Sequence, residues 1–127
     1  MFESRVPIRI VVEGVGEAEG VLVRIYSPLT VGEIVKKLPL EGVAAVWDGE
    51  VYFQIPVERG EERAKSEVKV GTIAYWPMGR ALCVFYGRTK PYSPVNVVGE
   101  VTKNLEMFKR VRDGMKVRVE RMESPGE

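Results

Sequence analysis

Histidine is absent from this chain of 127 residues. That alone removes Ser-His and Cys-His nucleophilic catalysis, His-ligated zinc sites and imidazole general-base chemistry. Cysteine occurs once, at Cys83, so an intrachain disulfide framework is excluded and a reducing, cytoplasmic setting is expected. With Leu82 and Val84 on either side and no adjacent base, the Cys83 thiol is expected to be buried, protonated and structural. No apolar run approaches the length of a membrane span, and the start MFESRVPIRI lacks the basic-then-apolar order of a secretory signal. Charge imbalance is missing too: 19 Lys and Arg against 18 Asp and Glu leave a net charge of +1. Residues 103–121 are locally basic, but no aromatics interleave to stack bases, so nucleic acid is not an expected partner. Asparagine is confined to Asn96 and Asn104 and glutamine to Gln54, a scarcity that suits long survival at high temperature and suggests a thermophile. Asp48 and Asp113 belong to turn dipeptides and the glutamates cluster in polar stretches, so neither a metal site nor a cofactor is expected.

What the chain does have is valine, at about one residue in six, and β-branched side chains favour strands. Ile8, Ile10 and Val12 alternate with polar neighbours, GVGEAEG reads as a turn, and residues 21–26 alternate again, giving a hairpin. Thr30 and Glu33 have the capping-box spacing, and Val31, Ile34, Val35 and Leu38 follow at helical period until Pro39. Asp48-Gly49 between residues 43–47 and 51–55 predicts a second hairpin. ERGEERAKSE, residues 58–67, has no apolar face at any period and reads as an exposed loop. Residues 72–76 and 81–86 are strand-like around the Pro77-Met78-Gly79 corner, GRTKPYSP breaks the pattern, and residues 95–101 resume it. Asn104 is placed to cap a helix carrying Leu105, Phe108 and Val111, Asp113-Gly114 ends it, and residues 115–122 form a last half-buried strand before a polar tail. Eight or nine short strands with two helices, in one domain over residues 1–127, describe a mainly β, closed antiparallel barrel capped at its ends, with a sandwich as the alternative.

Two stretches carry a resemblance. PLTVGEIVKKL (28–38) and VNVVGEVTKNLEMFKRV (95–111) are similar to the helix start and the strand-turn-helix of cyclophilins, the peptidyl-prolyl isomerases. More specifically, YWPMGRALCVFYGRT with SPVNVVGEV resembles a family of small, functionally uncharacterised bacterial and archaeal proteins with a cyclophilin-like barrel. The resemblance implies an eight-stranded antiparallel barrel with two short capping helices. It does not imply isomerase activity: cyclophilins present a Phe-His-Arg tripeptide whose arginine polarises the substrate amide, and VWDGEVYFQIPVER holds no His-Arg pair. Phe85 is the one pocket position the resemblance carries over, at the floor of the proline pocket.

The candidate binding residues cluster along the same stretch. Alternation sends Ala74 and Trp76 one way and Ile73 and Tyr75 the other, so Tyr75, Trp76, Met78 and Phe85 either fill the barrel or line an apolar pocket at its mouth. Arg80 and Arg88 each follow a glycine and bracket the next strand, as solvated charge or as guanidinium donors to an anion or peptide carbonyl. Tyr52 and Gln54 share one side of their strand, Gln54 as an edge residue or an amide partner for a peptide. Trp47 is expected to pack on a neighbouring strand. The leading expectation is a non-catalytic module that binds a small molecule or a proline-containing peptide. Weak prolyl isomerisation and an oligomer-forming scaffold are the alternatives.

Overall fold

Alternating burial along the first strand sets which wall of the protein faces the core, as the computed structural model, which describes residues 3–123, makes visible. Val6, Ile8, Ile10 and Val12 of β1 (Arg5–Val12) are all at most 1% exposed, while Arg5, Arg9 and Val11 face outward. Strand β2 (Gly16–Val23) pairs antiparallel with it, from Val12 opposite Gly16 to Arg5 opposite Val23. GVGEAEG is therefore mostly strand and not turn: Ala18 enters the core opposite Ile10, and Glu17 and Glu19 stay outside, where Glu17 meets Arg9 at 3.1 Å.

Helix α1 (Pro28–Lys36) buries Thr30, Val31 and Ile34. Its N-cap is Ser27 and not Thr30, and Ser27 donates its hydroxyl to Val97 O at 2.8 Å instead of capping. The strands β3 (Leu40–Val43), β4 (Ala45–Trp47), β5 (Glu50–Gln54), β6 (Thr72–Trp76), β7 (Ala81–Phe85), β8 (Asn96–Lys103) and β9 (Lys116–Arg121) complete one antiparallel sheet in the order β3-β9-β1-β2-β8-β6-β7-β5-β4. The described residues form nine strands, within the eight or nine read from the sequence and one more than the resemblance implied, because the segment before Asp48 splits at Ala44, whose N–H and C=O bond to Met115 O and Gly114 N. The two ends of the sheet, β3 and β4, are thus consecutive in sequence, and the chain itself closes the barrel.

Residues Leu105–Arg110 form a 3₁₀ helix and not an α-helix, still burying Met107 and Phe108. Asn104 enters it left-handed, at φ 64°, and its side-chain amide donates to Glu17 O at 2.9 Å without capping. The barrel interior is filled by Ile8, Ile10, Leu22, Ile73, Leu82 and their neighbours, at interior packing that makes each large-to-small change cost roughly 2–5 kcal/mol. β6 and β7 are buried on both faces. Their outer face carries a second cluster of Ala74, Cys83 and Phe85, joined by Val68 and Val95 from the crossing segments.

Residues 58–67 are mostly exposed, as their composition dictates, yet they are tied to the barrel by polar contacts. Arg59 N donates to the Tyr75 hydroxyl, Glu62 N to Asn96 Oδ1 at 2.8 Å, and Lys65 and Val95 exchange backbone bonds at 2.8 and 3.0 Å. Hydrogen bonding orders this segment where burial does not. Among the described residues, no helix is long and apolar enough to cross a membrane.

Candidate functional site

The outer cluster is not fully covered. Trp47 ends β4, Glu50 and Tyr52 project from β5, and Trp76 ends β6. Pro91, Tyr92 and Val95 come from the segment that crosses above them. These side chains bound a cleft of about 210 Å³.

The local backbone explains why the rings stand where they do. At Gly49, φ is 90°, and its carbonyl accepts the N–H groups of Tyr86, Gly87 and Arg88 at 3.0, 2.9 and 3.0 Å. A Cβ there would lie 2.6 Å from Arg88 N, so only glycine lets the 86–88 segment dock on the β4-β5 turn. Gly79 does the same for Trp76: a Cβ would stand 2.3 Å from the indole ring, which lies against the turn. The Trp76 indole N–H donates to Ser93 Oγ at 2.6 Å, tethering the crossing segment to β6.

The four rings form a chain of near-perpendicular neighbours. Trp47 and Tyr92 meet at 6.1 Å and 76°, Tyr92 and Trp76 at 6.1 Å and 79°, and Trp76 and Tyr52 at 6.0 Å and 84°. Edge-to-face contact at such distances is the favoured aromatic geometry. The Arg88 guanidinium carbon lies 3.7 Å from the Trp47 ring centroid, in cation–π contact. That arginine is fully engaged: Nε donates to Asp48 O at 3.0 Å, one Nη to Lys90 O at 3.2 Å, and the other faces the Asp48 carboxylate at 3.6 Å.

Glu50 is the one acid lining the cleft, and it is 5% exposed. Its Oε1 has no hydrogen-bond partner among the described residues. Burial pushes its carboxyl above the usual carboxylate range, while hydrogen bonding from the Cys83 thiol and the charge of Arg88 offset part of the rise. Cys83 itself is fully buried under the cleft; burial and then the Glu50 charge push its thiol well above the ordinary range, so it is no nucleophile.

Of the residues singled out in the sequence, Tyr52 and Trp76 line the cleft and Arg88 stacks on its rim. Phe85 belongs to the buried cluster from which Tyr52 and Trp76 rise, but is itself covered. Tyr75 points the other way into the barrel core, its hydroxyl donating to Val57 O at 2.5 Å. Met78 stands exposed at the turn, Gln54 faces a separate surface hollow on the far side of Trp76, and Arg80 is exposed with φ 50°. Sequence reasoning missed Glu50 and Tyr92 and read Trp47 as strand packing. The available signals were an acid opposite Trp47 across the Asp48-Gly49 turn and a tyrosine set between two prolines in KPYSP.

A larger groove of about 600 Å³ runs along β3 and β9, lined by Glu13, Glu41, Lys116 and Arg118 among others. Arg118 spends its charge on Glu41 and Glu120 at 2.7 and 2.9 Å, and no aromatic ring lines the groove. Among the described residues, no three His, Cys, Asp or Glu side chains gather where they could hold a metal ion.

The nine-stranded antiparallel barrel formed by the described residues has a cyclophilin-like fold. The Cyclophilin-like family pattern matches residues 6–120, and the chain belongs to that family. Among solved structures it is similar to the hypothetical protein AF2241 from Archaeoglobus fulgidus, with 38% identity, a TM-score of 0.80 and coverage of 95% of this chain and 98% of that one. It is also similar in fold to McbB, solved in complex with tryptophan, with 22% identity and a TM-score of 0.73; 94% of this chain matches 45% of McbB. A search of curated proteins gave no match.

Proposed function

We propose that this barrel is a ligand-binding module whose site is the cleft between Trp47, Tyr52, Trp76 and Tyr92. The observation that carries the reading is the open space of about 210 Å³ among four orthogonal rings held by specific backbone devices. Aromatic walls with one convergent polar group are the usual make-up of a small-molecule site. The volume suits a side-chain-sized group, whether a free small molecule or one residue of a peptide, proline included. McbB, of which 45% matches this chain, was solved in complex with tryptophan, which is consistent with a ligand of that size here. Cyclophilin-type catalysis has less support, because Arg88 is committed to Asp48 and Lys90 O and Arg80 does not line the cleft.

The chain offers a direct test, since its two tryptophans, Trp47 and Trp76, both line the cleft. Intrinsic tryptophan fluorescence therefore reports this cleft; because Trp76 also borders the hollow beside Gln54, a change that survives in Trp76→Phe, carried by Trp47 alone, assigns the binding to the cleft. Titration with a panel of small metabolites and proline-containing peptides should give a saturable change with at least one compound. Binding detected by calorimetry with unchanged tryptophan emission would put the site elsewhere, and no binding by either method would reject the reading.

A further inference from the structure

We infer that the cleft takes a compact organic cation, an amine or alkylated ammonium group, with Glu50 as its counter-ion. The inference rests on the cleft being the ligand site and adds the chemistry of its occupant.

Three observations carry it. Glu50 lines the cleft at 5% exposure with Oε1 unpartnered, and a buried acceptor left unpaired is costly. An apolar occupant would seal that oxygen off for good, and an anion would face it with like charge. A cationic N–H donor would satisfy it and neutralise it together; a quaternary ammonium would neutralise it alone.

The walls favour the same sign of charge. Ring faces are the negative part of the aromatic quadrupole, so a cation seated on the face of any of the four lining rings is attracted to it. The Trp47 ring already holds a cation, the Arg88 guanidinium at 3.7 Å. Rings alone would also accept an apolar group; it is the lone carboxyl among them that selects.

The remaining charges around Glu50 do not reverse this. Arg88 is paired with Asp48 at 3.6 Å and lies outside the ring of lining residues. Cys83 beneath is neutral, its thiol held protonated by burial. Lys90 contributes only its carbonyl to the arrangement, to Arg88. Within the cleft lining, Glu50 is the sole ionisable group besides the tyrosine hydroxyls.

Matched pairs of probes test the charge without changing the shape. Choline and its neutral isostere 3,3-dimethylbutan-1-ol, and phenethylamine and 2-phenylethanol, are titrated into the intact chain by tryptophan fluorescence at low salt. At least one cation should bind about tenfold or more tighter than its neutral partner, the scale of a desolvated cation–π contact. In Glu50→Gln the ratio of cation to neutral affinity within each pair should fall about tenfold. Equal affinity within both pairs, or a cation preference untouched by Glu50→Gln, overturns the inference and leaves the cleft reading standing. So does binding only of neutral or anionic compounds from the wider panel, whereas silence of the tryptophans to every compound removes both. The comparison within each pair uses the unmodified chain, so it decides the matter even if Glu50→Gln folds poorly.

Discussion

Two glutamates, one at the start of β5 and one in the connection that follows it, show how differently the same side chain is treated. Glu62 is surrounded by donors: the N–H groups of Leu29 and Thr30 at 3.0 and 2.8 Å and the Thr30 hydroxyl at 2.7 Å. It serves as the missing cap of α1, delivered from 33 residues away in sequence. Asn96 completes the arrangement, accepting from Glu62 N at 2.8 Å and donating to Thr30 Oγ1 and Gly60 O at 3.1 and 3.0 Å. Burial pushes the Glu62 carboxyl up, but the hydrogen bonds from Thr30 and Leu29, with the Arg59 charge, outweigh it and hold the group below its usual range. Glu50 has an orphaned oxygen and sits above that range. One region is finished as structure; the other is left with an unpaired acceptor, the kind of local cost a fold tolerates where a site is needed.

The contrast breaks most visibly at Asn96. Asn96→Ala removes three hydrogen bonds in a buried network and should lower stability by about 2–4 kcal/mol in urea unfolding. A loss below about 1 kcal/mol would mean the polar cluster carries little. Glu62→Gln weakens a charge-assisted helix cap and should cost about 1–2 kcal/mol at neutral pH. Glu50→Gln is expected to change stability by no more than about 1 kcal/mol, on the stabilising side, because a buried carboxylate charge is removed. Were it to destabilise as much as Glu62→Gln, the two glutamates would not differ in kind.

The smallest effect is a difference of slopes with pH. Because the folded-state pKa of Glu50 is raised, its favourable contribution is complete at acid pH and is lost as pH rises through that value. Because that of Glu62 is lowered, its contribution is present above the ordinary carboxylate range and is lost as pH falls through the depressed value. Relative to the parent chain, Glu50→Gln should therefore gain stability from acid to neutral pH, and Glu62→Gln should lose it. Melting curves across that interval read the two slopes, and slopes of the same sign would refute the assignment.

The strands were legible because alternation and turn chemistry are local. Asp48-Gly49 fell at the hairpin turn, and the Ile73/Tyr75 against Ala74/Trp76 division was visible in the order of residues. GVGEAEG misled because glycine and glutamate are weak strand formers that a neighbouring strand nevertheless pairs. The helix cap could not be read locally, since its acceptor comes from a segment without any apolar pattern. The candidate site was half legible: Tyr52, Trp76 and Arg88 carry an obvious aromatic and cationic signal, while Glu50 is ordinary until its surroundings are known. Tyr92 is brought to the cleft by a segment whose 86–88 backbone docks on Gly49 and whose Ser93 is held by Trp76, long-range contacts with no sequence period.

The closure of the sheet at Ala44 has a bearing on how copies of this protein coexist. Open sheets end in two separate strands whose unpaired backbone groups can template addition of further strands. Here the terminal strands are four and three residues long and are joined through a single residue whose own N–H and C=O are already bonded. A would-be invading strand would meet only these short ends, the kind of blunted edge that works against edge-to-edge addition.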